Sequence, residues 1–176
     1  SLWFQNIKEP SFEKPKLLYV GRIKVEKGIF SLLKILNEVD EDFELSIIGD
    51  HGYKWPLEIK NNKKFKFYPL ITEINSLIDF YDKHNIFILP SFTEAHPKVL
   101  DESLSRLRPV IIFKEIKHVI QNKEGIFVSD RNKQSLTETI QLIMKNYLKI
   151  QESIKKNKLP TKEEFISQMT YILSSN

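Results

Sequence analysis

The chain of 176 residues contains no cysteine, which excludes disulfides and thiolate metal sites and agrees with a reducing compartment. Its four histidines are scattered without ligand spacing, and no metal cofactor is expected. Neither GxGxxG nor GxxxxGKS/T occurs, so neither a dinucleotide fold nor a P-loop NTPase is supported. No run approaches the length of a membrane span, no signal peptide is visible, and there is no internal repeat or low-complexity segment. A dense basic cluster interleaved with aromatics is also missing. The net charge of +4 comes from lysines spread along the whole length, so nucleic acid is a poor partner. Such a surface still allows peripheral contact with anionic lipid. The chain opens on Ser1 rather than methionine, and a piece of a longer protein is expected.

What is present centres on the stretch from Asn85 to Phe113. Ile86 to Leu89 is an apolar run too short for a helix and stopped by Pro90, and Pro109 to Phe113 is another of the same kind. Between them Leu100, Leu104 and Leu107 recur at helical spacing, so the stretch is a β-α-β crossover between parallel strands. Pro97 suits the first helical position, which places the helix start near His96 or Pro97. Elsewhere, strands are expected at Lys16–Val20, Phe43–Ile48, Lys64–Tyr68 and Gly125–Val128. Helices are expected over Gly28–Val39, from Thr72 through Tyr81, over Gln134–Lys155 and over Lys162–Leu173, with a helical turn at Glu115–Ile120. The Gly49-Asp50-His51-Gly52 loop calls for two flexible backbone positions. This cadence predicts an α/β, Rossmann-like, doubly wound parallel sheet of about six strands flanked by helices.

In such a sheet ligands collect beyond the carboxyl ends of the strands and anions sit at helix N-termini. Glu94 stands at one such end, and Glu102 lies eight residues on, within reach of the same crevice if the loop from Ser91 to Ala95 turns sharply. Arg22 follows Gly21 at another strand end, and Lys27 opens the next helix. Arginine grips phosphate bidentately, lysine adds a point charge, and carboxylates accept hydrogen bonds from hydroxyls. The combination suits a ligand with hydroxyls at both ends and phosphate between, such as a sugar nucleotide. Taken singly, each pair is more often solvated surface than a site.

Together, VGRIKVEKG, LSIIGDHG, IFILPSFTEAHPKVLDESL and PVII, in that order and spacing, resemble the C-terminal donor-binding domain of a GT-B glycosyltransferase of the large retaining family four, the group 1 glycosyl transferases. The resemblance runs from about Lys16 to Met144. It implies that Arg22 and Lys27 hold the donor diphosphate, that Glu94 approaches the transferred sugar as the catalytic residue, and that Glu102 binds the ribose hydroxyls. It further implies, more loosely, that Gly21 and the backbone of His96, Pro97, Lys98 and Val99 line the donor site and that Leu70 and Ile71 lie beside the nucleobase. The expected donor is a UDP-, GDP- or ADP-sugar, with no cofactor and no metal. The acceptor, a saccharide or lipid-linked molecule, would be held by an N-terminal GT-B domain missing from this chain, and the fragment alone is expected to be inactive.

The implied organisation is a linker or interdomain segment over residues 1–15, a Rossmann-like nucleotide-sugar-binding domain over 16–157, and a C-terminal helix over 158–176 that packs back on the domain or toward the missing one. The implied location is cytoplasmic, with peripheral contact to the inner face of the membrane left open. Departures from the family pattern are Ala95 and His96 for Gly and Phe, Leu107 for Gly, and Lys114 to Ile120 for a Gly-rich turn followed by an acidic residue. They keep open an alternative, a catalytically silent sugar-nucleotide-binding or assembly domain of the same fold.

Overall fold

The apolar runs assemble into one sheet. In the computed structural model, which describes residues 2–159, the strands are β1 (Lys16–Val20), β2 (Glu44–Ile48), β3 (Phe65–Tyr68), β4 (Ile86–Leu89), β5 (Val110–Phe113) and β6 (Ile126–Ser129). Their order is β3-β2-β1-β4-β5-β6, and every neighbouring pair is parallel. β4 and β5 are buried at every residue, as central parallel strands covered on both faces must be.

Alternation along each strand feeds two cores. Leu17, Leu45, Ile86 and Ile111 point to the layer of α1 (Ile29–Asn37) and α5 (Lys133–Lys145). Leu18, Phe87, Val110 and Ile112 point to the layer of α3 (Ile74–Lys83), α4 (Lys98–Ser105) and α6 (Tyr147–Ile154). The strand order runs outward in one direction from β1 and in the other from β4. The point of reversal, where a crevice opens, therefore lies between the carboxyl ends of these two strands.

Several elements differ from the sequence expectation. The helix expected over Gln134–Lys155 is two, because Asn146 leaves helical geometry between α5 and α6 (φ −112°, ψ 18°) and its side-chain amide donates to the Leu142 carbonyl at 2.9 Å. The bend lets the Tyr147 hydroxyl donate to the Asn85 carbonyl under the sheet at 2.7 Å. Glu73, and not Thr72, caps α3, its carboxylate accepting from the N–H groups of Asn75 and Ser76. α4 begins at Lys98, with Pro97 in the cap position just before it.

Leu107, expected on the apolar stripe of that helix, lies beyond its end with φ 57°. Its N–H donates to Leu104 and that of Arg108 to Ser103, a Schellman closure that normally favours glycine. Leu107 keeps the left-handed residue's role and packs its side chain against the second core. A one-turn helix, α2 (Leu57–Lys60), was not foreseen; ahead of it Trp55 is buried, its indole N–H donating to Asp50 at 3.0 Å. Gly49 and Gly52 in the preceding loop both have positive φ, as that loop required.

Residues 2–15 lie along the domain. Trp3 packs edge-on against Tyr81 at 5.6 Å between ring centroids, and Phe12 against Tyr147 at 5.1 Å. Two fully buried arginines take up the segment's carbonyls: Arg106 those of Leu2, Trp3, Gln5 and Asn6, and Arg108 that of Lys8. Asp82, equally buried, receives Arg106 through Nε at 2.9 Å and Nη2 at 2.6 Å. The helix expected at Lys162–Leu173 lies outside the described residues.

Candidate functional site

Two loops meet beyond the carboxyl ends of β1 and β4. The first, after β1, makes a 3-10 turn at Val25–Lys27 and enters α1 through Gly28, whose φ is 69°. A Cβ on Gly28 would sit 1.8 Å from the Pro90 carbonyl oxygen, so only glycine allows the loops to approach this closely. The Phe92 N–H then donates to the Glu26 carbonyl at 3.0 Å. The turn thus delivers Lys27 to the second loop.

Lys27 Nζ lies 2.6 Å from Glu94 Oε1, and the hydroxyl of fully buried Ser91 donates to the same oxygen at 2.6 Å. The Glu94 side chain is 12% exposed, enough to be reached and too little to wander. His118 Nε2, from the 3-10 segment Lys114–Ile120, sits 2.7 Å from the Glu94 carbonyl oxygen and donates to it. Glu94 is therefore held at both carboxylate and main chain. Arg22 is exposed in the loop after β1, and its guanidinium makes no hydrogen bond or ion pair among the described residues. Its carbonyl accepts from the Tyr19 hydroxyl at 2.7 Å, which fixes the start of the loop, and burial pushes that phenol upward.

Glu102 lies on the second turn of α4 and is partly buried; Tyr81 Oη donates to its Oε2 at 3.1 Å. Burial raises the Glu102 pKa, with the Tyr81 hydrogen bond and the charge of Lys98 opposing that rise. Glu94 and Glu102 make no contact with each other among the hydrogen bonds of the described residues. Each has its own partner.

A family model described as glycosyl transferases group 1 matches residues 4–159. The chain belongs to the group 1 glycosyl transferases. It is 26% identical over 148 residues to an uncharacterized glycosyltransferase of Haemophilus influenzae, covering 76% of this chain and 40% of that one. It is 32% identical over 103 residues to the sulfoquinovosyl transferase of Arabidopsis thaliana, covering 56% and 19% respectively. The chain thus spans less than half the length of these curated relatives. Among solved structures, an Anabaena protein in complex with UDP and glucose superposes with a TM-score of 0.75 at 15% identity, over 93% of this chain and 49% of that one. A sucrose-phosphate synthase from Thermosynechococcus elongatus superposes with a TM-score of 0.72 at 19% identity, over 96% and 49%. Both likenesses show the fold, the Rossmann-like half of GT-B glycosyltransferases.

In this domain the structure brings Lys27 and Glu94 into contact beyond the ends of β1 and β4, leaves Arg22 exposed in the loop after β1 and sets Glu102 on α4. His96 is exposed at the start of α4, its Nε2 3.4 Å from an Asp101 oxygen, a partner that sequence did not identify. Gly21 closes the end of β1, its N–H donating to Ile48 at 3.0 Å. Leu70 is exposed and Ile71 partly buried in the loop ahead of α3. Lys98 and Val99 form the first turn of α4.

Sequence reasoning missed Ser91, His118, Tyr81 and Arg131. The Arg131 guanidinium is sandwiched between the rings of Phe92 and Phe113, at 4.0 and 4.2 Å from their centroids. Its Nε donates to Glu115 at 2.8 Å, and that bond holds the Glu115 carboxyl below its usual range. Arg131 thereby fixes the ring two residues ahead of Glu94. Its position two residues beyond β6 was the available signal, since the rule applied to Arg22 applies there equally.

Proposed function

We propose that this domain binds a nucleoside-diphosphate sugar and presents it for retaining glycosyl transfer to a saccharide or lipid-linked acceptor held by an N-terminal domain outside this chain. One observation carries the reading: Lys27 and Glu94, 67 residues apart, form a 2.6 Å ion pair at the point where the strand order reverses. A buried-rim pair of this kind is self-neutralised until a competing anion arrives. The donor diphosphate takes over Lys27 and engages Arg22, and the amides at the start of α4 add their partial positive charge. Glu94, relieved of its lysine, accepts hydrogen bonds from the transferred sugar and stabilises positive charge developing on the ring as the diphosphate departs. Glu102 accepts from the ribose hydroxyls, while Leu70 and Ile71 flank the base.

Solved relatives described in complex with UDP, with UDP-glucose and with UDP and glucose support a nucleotide-sugar donor. In this reading two cations neutralise the leaving diphosphate without a metal, and EDTA leaves transfer unchanged. Calorimetry of this chain with UDP, GDP, ADP and their sugars tests the assignment. Binding that is lost on Lys27→Ala supports it; no binding at millimolar concentration, by this chain or by a two-domain chain containing it, refutes it. Nucleotide-sugar binding by a two-domain chain that never transfers would favour the silent assembly role.

A further inference from the structure

We propose that Tyr81 is a positioning residue for the donor site, holding the Glu102 carboxylate in the orientation that meets the ribose hydroxyls. The inference rests on the donor-binding reading above and adds a residue that lies on a different helix from every side chain assigned there. Tyr81 is fully buried on α3, its ring packed edge-on against Trp3 and tilted against Phe87, with centroids 5.6 and 5.7 Å away. Its hydroxyl is the one polar atom of the side chain. It lies 3.1 Å from Glu102 Oε2 and at a longer 3.4 Å from the Val99 carbonyl, so the carboxylate is the better acceptor. Burial and the neighbouring carboxylate keep the phenol protonated, which makes it the donor of this bond.

A glutamate on a helix flank has three side-chain torsions to fix before it can accept two adjacent hydroxyls of a ribose. The Tyr81 bond settles them in advance. It occupies one lone-pair direction of Oε2 and leaves Oε1 without a partner among the described hydrogen bonds, so the carboxylate is anchored at one oxygen and open at the other. The anchor cannot drift, because the Tyr81 ring is held by the Trp3 and Phe87 rings. Preorganisation of this kind strengthens binding by removing the cost of ordering the side chain when ligand arrives.

The test compares UDP with 2′,3′-dideoxy-UDP, or GDP with its dideoxy form if guanine is the base the chain binds. Tyr81→Phe keeps the ring and its packing and removes only the hydroxyl. The expected result is a loss of about three- to tenfold in affinity for UDP, the net worth of one ordinary hydrogen bond, and no loss for the dideoxy form. Glu102→Gln should narrow the gap between the two nucleotides, and adding Tyr81→Phe to it should cost nothing more. Equal loss for both nucleotides, or unchanged UDP affinity, overturns the inference, since a tyrosine that merely fills the core would not distinguish ribose from dideoxyribose. If wild type makes no such distinction, or Glu102→Gln leaves it intact, the ribose assignment itself has failed and Tyr81 has nothing to position. If Glu102→Gln erases it and Tyr81→Phe preserves it, only the Tyr81 inference falls.

Discussion

Acidification should destabilise this domain through His84. The side chain is 5% exposed at the end of α3, with Nδ1 2.6 Å from the Phe80 carbonyl oxygen. A carbonyl only accepts, so Nδ1 carries the hydrogen, and Nε2 is buried with no hydrogen-bond partner among the described residues. Burial, seconded by Lys16 and Arg108 and opposed by the Phe80 carbonyl and Glu44, pushes the His84 pKa down from 6.5 to about 4. The folded state therefore stays neutral at this site while the unfolded chain takes up a proton below pH 6.5, and stability falls as pH falls through that window. At about 1.4 kcal/mol per pKa unit, the loss reaches roughly 2.5 kcal/mol by pH 4.5, a sizeable share of the 5–15 kcal/mol typical of a domain. Urea denaturation of wild type and His84→Phe at pH 7.0, 5.5 and 4.5 measures it. Other groups titrate alike in both proteins, so the difference between the two curves isolates His84, and wild type should lose about 2.5 kcal/mol more than the variant between the extremes. Parallel curves would refute the reasoning.

Asp82→Asn leaves two buried guanidiniums without their carboxylate and should cost about 3–5 kcal/mol in denaturant titration. Gly28→Ala forces a Cβ against the Pro90 carbonyl at positive φ; it should cost at least about 2 kcal/mol and weaken nucleotide binding by parting the two loops, both readable by melting and calorimetry. Glu94→Gln in a two-domain chain should lower turnover with authentic donor and acceptor far more than it weakens binding of the nucleotide alone, as kcat and nucleotide Kd would show.

How far the sequence carried this picture depends on distance along the chain. Ile86–Leu89 and Val110–Phe113 were legible as strands because a run buried on both faces leaves a purely apolar signature that needs no context. The meeting of Lys27 and Glu94 was legible because the carboxyl ends of parallel strands open on one side of the sheet whatever the strand order. The break at Asn146 was hidden, since the apolar spacing from Leu136 through Tyr147 continues across it and a side-chain hydrogen bond leaves no periodic mark. Tyr81 read as one more core residue of a helical stripe, because its hydroxyl's partner lies 21 residues away. Leu107 misled for the opposite reason: its apolar side chain fits the stripe while its backbone has already left the helix.

The way Arg106 and Arg108 hold the leading segment has a bearing on how this region can change. Both guanidiniums grip main-chain oxygens of residues 2, 3, 5, 6 and 8, groups that every amino acid possesses. The docking is thus blind to side-chain identity at Gln5, where substitutions cost little if the peptide keeps its path, whereas Asn6, with φ 50°, sits in the left-handed region that favours asparagine or glycine. Its length is another matter. Inserting or deleting a single residue ahead of Lys8 would slide the carbonyls out of register with two fixed forks and leave buried guanidinium N–H groups unpaired, so outside Trp3 and Asn6 this stretch should tolerate a change of letter far better than a change of count.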